Sequence, residues 1–288
     1  MSADCPPSVV RHRDARAFHA AAQPVLNRNV VEGVALEVAI GGFIRNPPQP
    51  GAEPYLATVA NSECAGAIYL YGGEIAALGA SDALAASWLA ADLAGANPAL
   101  SGAIGMAEPC AAFLEEWNRR LGTTHRLAMH FRQHLLHELL PVPVPAGFAR
   151  RATPEDLQWM MAVQIAAAAE SGMVRPRTNW ESMTLRAIEA GRYWVWDNDG
   201  PVSYVGWAPA LRPAARIAPV GTPPEQRSRG YATALTAALV RSLVEEGRRQ
   251  IVLTTDIDAP VPNAIYARLG FRPTTESFRY EIMAPEVG

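Results

Sequence analysis

The sequence predicts an α+β (mixed α/β) protein, in which helices flank a central mixed, mostly antiparallel sheet. Two observations in the second half of the 288 residues support this prediction. The predicted elements run from two helices to three strands, and then alternate as helix, strand, helix and strand. The clearest helix, 230–246, carries Leu235, Leu239 and Leu243 one turn apart on a single face. Hairpin-linked strands that lead into such a crossover are typical of a mixed sheet.

Local signals mark the elements of the second half. Thr153 before Pro154 is typical of an N-cap and a first helical position, and the helix that starts there should end at Gly172. Aromatic and branched residues at 193–196 predict a strand, and the polar turn at 197–200 predicts a hairpin. The remaining predictions are strands at 148–151, 202–207, 216–222, 250–255 and 278–283, and helices at 180–189 and 262–269.

A proline-rich stretch divides the chain at 141–147. Three prolines alternate there with other residues, which favours an extended, semi-rigid connector. We therefore predict a first domain over 1–140 and a second domain over 148–288. The first half shows a similar but weaker plan, with an early helix, strands at 56–60 and 67–70, and helices at 81–93 and 108–121.

Composition excludes several classes of function. The formal net charge is −3, which argues against a polybasic surface for nucleic acid. All 25 basic residues are arginine, so a lysine nucleophile, a lysine Schiff base and a Walker-type phosphate loop are excluded. Cys5, Cys64 and Cys110 are too few and too scattered for a zinc site or a disulfide framework.

The same observations predict the surroundings of the protein. Reduced thiols fit the cytoplasm, and the charged, proline-bearing start is unlike a signal peptide. The longest apolar run, 34–44, is too short to span a bilayer. We therefore expect a cytoplasmic monomer or homodimer that needs no metal and has neither nucleic acid nor membrane as a partner.

The stretch PPEQRSRGYATAL places an arginine-bearing loop at the start of the clearest helix. A helix N-terminus exposes unpaired backbone N–H groups and the positive end of the helix dipole, so a loop around it forms a cradle for anions. Gly230 removes a side chain where a ligand comes closest, and Ala232 keeps the next inward position small. Arg227 and Arg229 add positive charge. The loop therefore predicts a diphosphate site.

The spacing Arg-x-x-Gly-x-Ala at 227–232 resembles the pyrophosphate-binding signature of the GNAT superfamily of N-acetyltransferases. Three neighbouring segments resemble that family in order and spacing: ARIAPVGTPPE its fourth strand, LTTD its fifth strand, and NAIYARLGFRP its last helix with the following turn. The resemblance covers about residues 148–283 and implies a GNAT-like fold. The whole-chain layout resembles bacterial proteins with two tandem GNAT-like domains, of which the first is degenerate.

The resemblance implies an N-acetyltransferase that takes acetyl-coenzyme A as cosubstrate and acts on a primary amine of a small molecule or peptide. The amine would attack the thioester directly, through a tetrahedral intermediate. Tyr266 would be the general acid that reprotonates the leaving thiolate. The backbone near Val220 and Thr222 would hold the pantetheine arm, and Arg268 would reach the 3′-phosphate. The diphosphate would be bound by backbone N–H groups of Arg227, Ser228, Arg229, Gly230, Tyr231 and Ala232.

One position departs from the family pattern. Many relatives carry an asparagine seven residues before the tyrosine, where this chain has Ala259. Asn263, three residues before Tyr266, is present as in one subgroup of the family, and is expected to contact the cofactor. The missing amide lowers the expected cofactor affinity by one neutral hydrogen bond, about 0.5–1.5 kcal/mol.

The group that takes the proton of the amine stays open between Asp256, Glu225 and Glu276. No histidine follows His137, so we expect no imidazole base in the second half. The four histidines at 125–137 lack a metal-binding pattern such as HExxH, and are expected to be surface or packing residues.

Two alternatives stay open for the second half. The first is a GNAT fold that binds coenzyme A or acyl-coenzyme A as a sensor or scaffold without turnover, and the second is an acyltransferase that uses a longer acyl-coenzyme A. Ala259 favours the first alternative, whereas Tyr266 and the intact cradle favour the enzyme. The first half has no Arg-x-x-Gly-x-Ala pattern, and is predicted to be structural or to position the acceptor without a cofactor of its own.

Overall fold

The structure is a computed structural model that describes residues 8–48, 53–60, 65–71, 74–96, 99–170 and 179–284. The strands are β1 (Val9–Arg11), β2 (Leu56–Ala60), β3 (Ala65–Tyr71), β4 (Ile75–Leu78), β5 (Gly102–Gly105), β6 (Thr124–Leu136), β7 (Phe148–Arg151), β8 (Tyr193–Asp197), β9 (Pro201–Pro209), β10 (Ala214–Gly221), β11 (Gln250–Asp256) and β12 (Phe271–Met283). The helices are α1 (Ala15–Ala21), α2 (Gln23–Leu26), α3 (Val30–Arg45), α4 (Ala83–Ala96), α5 (Ala107–Leu121), α6 (Leu157–Glu170), α7 (Trp180–Glu189), α8 (Tyr231–Glu245) and α9 (Pro260–Arg268).

All of these strands belong to one sheet. Within the described residues their order is β1-β2-β3-β4-β5-β12-β6-β11-β10-β9-β8-β7. The pairs β4–β5 and β10–β11 are parallel, and the other neighbours are antiparallel. Helices α4 and α5 pack on the strands of the first half, and α8 and α9 pack on those of the second half. The predicted class, a mixed and mostly antiparallel sheet flanked by helices, is therefore confirmed.

The two halves of the chain exchange their last strands. Strand β6 belongs to the first half, yet it lies between β11 and β12. Strand β12 belongs to the second half, yet it lies between β6 and β5. The long antiparallel ladder between β6 and β12, from Phe271 opposite Leu136 to Met283 opposite Thr124, forms the centre of the sheet. Neither half therefore completes its sheet alone.

Strand β6 presents alternate side chains to different helices, as the two-residue period of a strand requires. Leu136 packs against the core beneath α8 and α9. The preceding residue, Leu135, packs on the opposite face with Val31 and Val34 of α3. The first half thus supplies the second half with a helix on one face of the sheet, α3, and with a strand inside the sheet, β6, next to β11.

The predicted elements of the second half are confirmed, with shifts of a few residues at most ends. Thr153 forms a capping box with Asp156, and α6 runs on from there to Glu170. The predicted helix end at Gly172 lies outside the described residues. Strand β12 differs most from its prediction, because it begins at Phe271 and pairs with β6 along almost its whole length.

The proline-rich connector lies between β6 and β7, where the chain forms neither helix nor strand. The sheet continues across this point through β6, and the division into two domains at 141–147 stays a prediction. Among the described residues, none of the helices combines the length and the hydropathy that crossing a bilayer requires.

Candidate active site

The candidate site lies where the parallel strands β10 and β11 separate. Their ladder joins Ala214 to Gln250, Ala215 to Ile251 and Arg216 to Val252, and then ends although both strands continue. An irregularity between Ile217 and Val220 interrupts the ladder between β10 and β9 at the same level. Beyond this point a cavity of about 1080 Å³ opens, bounded by β10, the loop 222–230, α8, α9 and one side of α6.

The loop before α8 leaves the helix N-terminus accessible. Gly230 precedes the helix with a φ of +85°, in the left-handed region that favours glycine. A Cβ added to Gly230 would have no atom within 4 Å. No side chain of the described residues caps α8, so the backbone N–H groups of its first turn keep their capacity to bind an anion. The predicted cradle is therefore open, and its helix dipole points its positive end at the cavity.

Most of the predicted site residues meet at this cavity. Those that line it are Val220, Thr222, Arg227, Ser228, Gly230, Tyr231, Ala232, Tyr266 and Arg268. Arg229 lies in the same loop and is exposed. The side chain of Tyr231 turns into the core, where its hydroxyl accepts a hydrogen bond from the Asn198 amide at 3.0 Å. The contribution of Tyr231 to a ligand would therefore come from its backbone.

Arg227 stabilises the loop through polar contacts and also adds positive charge to it. Its Nε donates to the carbonyl oxygen of Thr222 at 3.1 Å, and its guanidinium pairs with Glu170 at the end of α6 at 2.8 Å. Both partners of this ion pair are about half exposed, with side chains 48% and 50% accessible. The pair joins the loop to α6 across the cavity rim, so part of the positive charge of Arg227 is compensated.

Tyr266 lies on α9 with 8% of its surface exposed, at the wall of the cavity. Its ring contacts His134 and Phe271, with centroid distances of 6.5 and 5.9 Å. Burial raises the pKa of its hydroxyl to about 12. At neutral pH the hydroxyl is therefore protonated, which is the state that a proton donor requires.

The side-chain amide of Asn263 forms hydrogen bonds within the turn between β11 and α9. Its amide nitrogen lies 3.0 Å from the carbonyl oxygen of Asp256, 3.3 Å from that of Ile257 and 2.8 Å from that of Ala259. Its amide oxygen accepts a 2.6 Å hydrogen bond from Thr255. Asn263 thus stabilises the start of α9, and its contact with a cofactor stays a prediction.

The three carboxylates considered as bases occupy different surroundings. Glu225 lines the cavity. Asp256, at the end of β11, accepts a hydrogen bond from the backbone N–H of Asp258 at 2.9 Å. Glu276 lies on β12, where it contacts His130 at 2.8 Å and Arg132 at 3.6 Å. Of the three, only Glu225 is placed at the cavity wall.

The second half itself contains no histidine, and the expectation that it supplies no imidazole base stays a prediction. The fold nevertheless brings two imidazoles of the first half into this part of the sheet, because β6 carries His130 and His134 between β11 and β12. His134 is 3% exposed, and its Nε2 lies 3.0 Å from the hydroxyl of Thr255. The only sequence signal for β6 is the alternation of apolar and polar residues around the histidines at 125–137.

The corresponding place in the first half is closed. Strands β4 and β5 are parallel as well, and Asp82 stands directly before α4. Its carboxylate accepts from the backbone N–H of Ala65 at 2.7 Å and pairs with Arg28 at 2.6 Å. A smaller cavity of about 600 Å³ nearby has Asp82, Glu108 and Glu276 in its wall, which makes it unsuited to a diphosphate. Among the described residues, no group of three or more His, Cys, Asp or Glu is placed to hold a metal ion.

Comparisons with known proteins agree with this geometry. Residues 159–271 match the model of the acetyltransferase (GNAT) family. None of the curated proteins matches the chain significantly.

Several solved structures resemble almost the whole chain. A GNAT-family acetyltransferase from Colwellia psychrerythraea is 12% identical with a TM-score of 0.62, over 96% of this chain and 99% of that one. A GCN5-related N-acetyltransferase from Sphaerobacter thermophilus is 16% identical with a TM-score of 0.61, over 96% and 95%. A tandem GNAT protein from the clavulanic acid biosynthesis pathway is 14% identical with a TM-score of 0.60, over 98% and 99%. At these identities the likeness shows the fold of both halves.

Proposed function

On the basis that the region 159–271 belongs to the acetyltransferase (GNAT) family, we propose that the chain is an N-acetyltransferase that transfers the acetyl group of acetyl-coenzyme A to a primary amine. The observation that carries the proposal is the uncapped N-terminus of α8 at the opening between β10 and β11. Among the described residues of the first half, the corresponding pair β4–β5 stays in contact and the nearby cavity is smaller and lined by carboxylates, so the open cradle distinguishes the second half.

The residues present fit coenzyme A. A diphosphate needs several N–H donors and positive charge, and the first turn of α8 supplies both through its backbone and its dipole. The open space over Gly230 leaves room for the phosphates to approach the backbone. The part of β10 that has no partner on its β11 side, including Val220, and the adjoining Thr222 offer backbone groups to an extended pantetheine arm, in the manner of an added strand.

Side chains of this chain would then guide the chemistry. Acetyl-coenzyme A supplies an activated acetyl thioester, and the amine attacks its carbonyl carbon through a tetrahedral intermediate. A carboxylate accepts the proton of the amine, with Glu225 the candidate at the cavity wall. Tyr266 donates its hydroxyl proton to the leaving sulfur, for which its raised pKa keeps it in the protonated form.

The acceptor is a small molecule or a peptide that carries a primary amine, and we place the protein in the cytoplasm as a monomer or homodimer. Neither nucleic acid nor membrane is part of the proposal. A non-catalytic coenzyme A-binding module would share the cradle, and Tyr266 is the residue that separates the two functions.

Calorimetric titration with acetyl-coenzyme A tests the cradle, with Ala232→Glu as the variant. Ala232 lies in the first turn of α8 at the cavity wall, where a glutamate is compatible with the helix and favourable to its dipole. Its carboxylate would stand beside the phosphates, and two like charges ~4 Å apart near a protein surface repel by about 4 kcal/mol. We expect saturable binding by the wild type and at least a hundredfold weaker binding by the variant.

The matched control is Ala232→Gln, which has nearly the same size without the charge. It should lose much less affinity than Ala232→Glu if repulsion of phosphate is the cause. Equal losses in both variants would mean that the side chains only obstruct the cavity. Absence of binding by the wild type would overturn the proposed function.

A further inference from the structure

A chain of buried and half-buried polar groups links the first half to the helix that carries Tyr266. It begins at His134 on β6, whose Nε2 lies 3.0 Å from the Thr255 hydroxyl of β11. The Thr255 hydroxyl in turn lies 2.6 Å from the amide oxygen of Asn263 on α9. His134, Thr255 and Asn263 thus form a continuous path between three elements. The reaction proposed above gives His134 no role.

The direction of each hydrogen bond follows from the donors available. The Thr255 hydroxyl has two acceptors in reach, the amide oxygen of Asn263 at 2.6 Å and the carbonyl oxygen of Arg132 at 3.4 Å, and its single proton favours the shorter contact. The Thr255 oxygen must then accept from His134, which places the ring proton on Nε2. The other ring nitrogen, Nδ1, is buried and has no hydrogen-bond partner among the described residues.

The surroundings of His134 keep it neutral. Burial lowers its pKa and outweighs the Asn263 side chain, which acts in the opposite direction, and the nearby guanidinium of Arg132 adds to the lowering. The hydrogen bond pattern therefore has one stable arrangement, with Nε2 as donor and Nδ1 as a buried lone pair beside the ring of Tyr266. A hydrogen-bond network with one favoured arrangement of its protons holds its side chains in fixed orientations.

The far end of the path holds the turn from which α9 starts. Asn263 donates to the carbonyl oxygens of Asp256, Ile257 and Ala259, which span the connection from β11 to α9. No side-chain cap holds the N-terminus of α9, so Asn263 is the main polar contact of this turn among the described residues. Tyr266 follows Asn263 by three residues, and its direction depends on how this first turn is held.

We propose that His134 is a positioning residue for acetyl transfer, which the first half supplies to the active site of the second half. It acts through Thr255 and Asn263 to set the orientation of α9 and so of the Tyr266 hydroxyl. The inference rests on the proposed function, and it gives the exchanged strand β6 a role in the reaction as well as in the sheet.

The test compares His134→Phe with His134→Gln. Phenylalanine fills the space of the imidazole but cannot donate to Thr255, whereas the amide nitrogen of glutamine can. With acetyl-coenzyme A and the primary amine that turns over fastest in a screen, we expect the phenylalanine variant to lose about tenfold or more in kcat, because small displacements of a catalytic group are costly. Its KM for acetyl-coenzyme A should change less than twofold, and the glutamine variant should recover most of the kcat.

Two controls address folding and connectivity. His130→Phe changes a histidine on the same strand and face, but one that contacts Glu276 instead of Thr255, and kcat should stay within twofold. Thr255→Val breaks the path at its middle, and should lower kcat as His134→Phe does. The double variant His134→Phe/Thr255→Val should then be no worse than either single variant, because both remove the same path.

Amide hydrogen exchange separates this inference from the proposed function, because it needs no acceptor. Exchange in His134→Phe should rise in 256–268 and stay unchanged in α8. Full kcat in His134→Phe, or equal losses in the phenylalanine and glutamine variants, would overturn the positioning role. If the wild type binds no acetyl-coenzyme A, the proposed function fails, and unchanged exchange in 256–268 would show separately that His134 does not hold α9.

Discussion

The opening between β10 and β11 and its counterpart between β4 and β5 show how one architecture gives an open cavity in one half and a closed wall in the other. Each pair is parallel and joined over three residue pairs. Strand β10 continues five residues past its last partner, from 217 to 221, whereas β4 ends at Leu78, one residue past its own. The carbonyl oxygen of Leu78 lies only 3.0 Å from where a Cβ of Gly105 would be, so β4 and β5 are still in contact there.

The connections to the next helix differ in the same sense. In the second half the chain uses residues 222–230 between β10 and α8, and in the first half it uses only 79–82 between β4 and α4. A Cβ on Gly79 would meet Leu36 at 3.2 Å and Val25 at 3.3 Å, whereas one on Gly230 would meet nothing within 4 Å. In the first half, side chains fill the space that corresponds to the open cavity of the second half.

This difference teaches that the fold alone does not make the site. A helix N-terminus attracts an anion in either half, but in the first half the carboxylate of Asp82 already stands at that place. The first half instead contributes α3 and β6 to the sheet of the second. The first half therefore has a closed strand pair of its own and a supporting role in the sheet of the second half.

The largest expected effect comes from separating the halves. A chain of residues 141–288 alone lacks β6, which leaves β11 and β12 without the partner they share. Exposed strand edges of this length associate, so we expect an aggregated or unfolded product by size-exclusion chromatography and circular dichroism. Addition of a separately produced 1–140 chain before refolding should recover soluble protein. A folded, monomeric 141–288 would break the comparison, since the second half would then be self-sufficient.

The next largest effect is expected for Tyr266→Phe. Removal of the proton donor should lower kcat about a hundredfold, within the usual range for general acid catalysis, while acetyl-coenzyme A binding changes little. Because the pKa of Tyr266 is raised to about 12, its protonated form persists through the neutral range, and wild-type kcat should show no alkaline decline from this group below about pH 11. Unchanged kcat in the variant would favour the non-catalytic alternative or another acid.

The second half was predictable from sequence because its signals are local. Capping at Thr153, leucine spacing in α8 and the loop 223–230 each act within a few residues of the chain. The exchange of β6 and β12 was not predictable, because it depends on pairing between residues such as His130 and Phe278 that are far apart in sequence. The same limit applies to the first half, where Leu36 and Val25 pack so close to Gly79 that a Cβ there would meet them at 3.2 and 3.3 Å.

The site residues also divide into those that a local motif predicts and those that depend on the folded structure. Arg227, Gly230 and Tyr266 follow from a motif, and the structure brings them to one cavity. The engagement of Asn263 by its own turn and the proximity of His134 required the folded chain. Whether these residues act as the motif implies stays a prediction.

A smaller effect should separate the two roles of Arg227 in the loop 222–230, which are its positive charge and its link to Glu170. Arg227→Gln removes the positive charge, the link to Glu170 and the hydrogen bond to the Thr222 carbonyl, whereas Glu170→Gln removes only the link to Glu170. Exposed ion pairs contribute about 0–1 kcal/mol, so we expect Glu170→Gln to keep acetyl-coenzyme A affinity within a few-fold. Arg227→Gln should weaken binding about tenfold and reduce its salt dependence. Equal losses in both variants would mean that Arg227 acts as a tether only.

The smallest effect concerns the carboxylate that closes the first half. Burial alone would raise the pKa of Asp82, but the Arg28 guanidinium and the Ala65 N–H outweigh it, and the pKa is lowered in the folded state. Such a group stabilises the fold above its unfolded pKa, about 3.9, and the contribution is lost as the pH falls through the folded pKa. Asp82→Asn should therefore lower the free energy of unfolding at pH 7 by about 0.5–1 kcal/mol, as expected for a partly exposed pair.

Chemical denaturation of Asp82→Asn, Arg28→Gln and the double variant from pH 7 to pH 2 measures this contribution. The gap between wild type and Asp82→Asn should narrow below about pH 4, and Arg28→Gln should reduce the gap at pH 7. Asp82→Asn should gain no affinity for acetyl-coenzyme A, because the contact between Leu78 and Gly105 still closes the strands. Binding gained by this single substitution would show instead that one carboxylate, and not the packing of β4 against β5, keeps the first half empty of ligand.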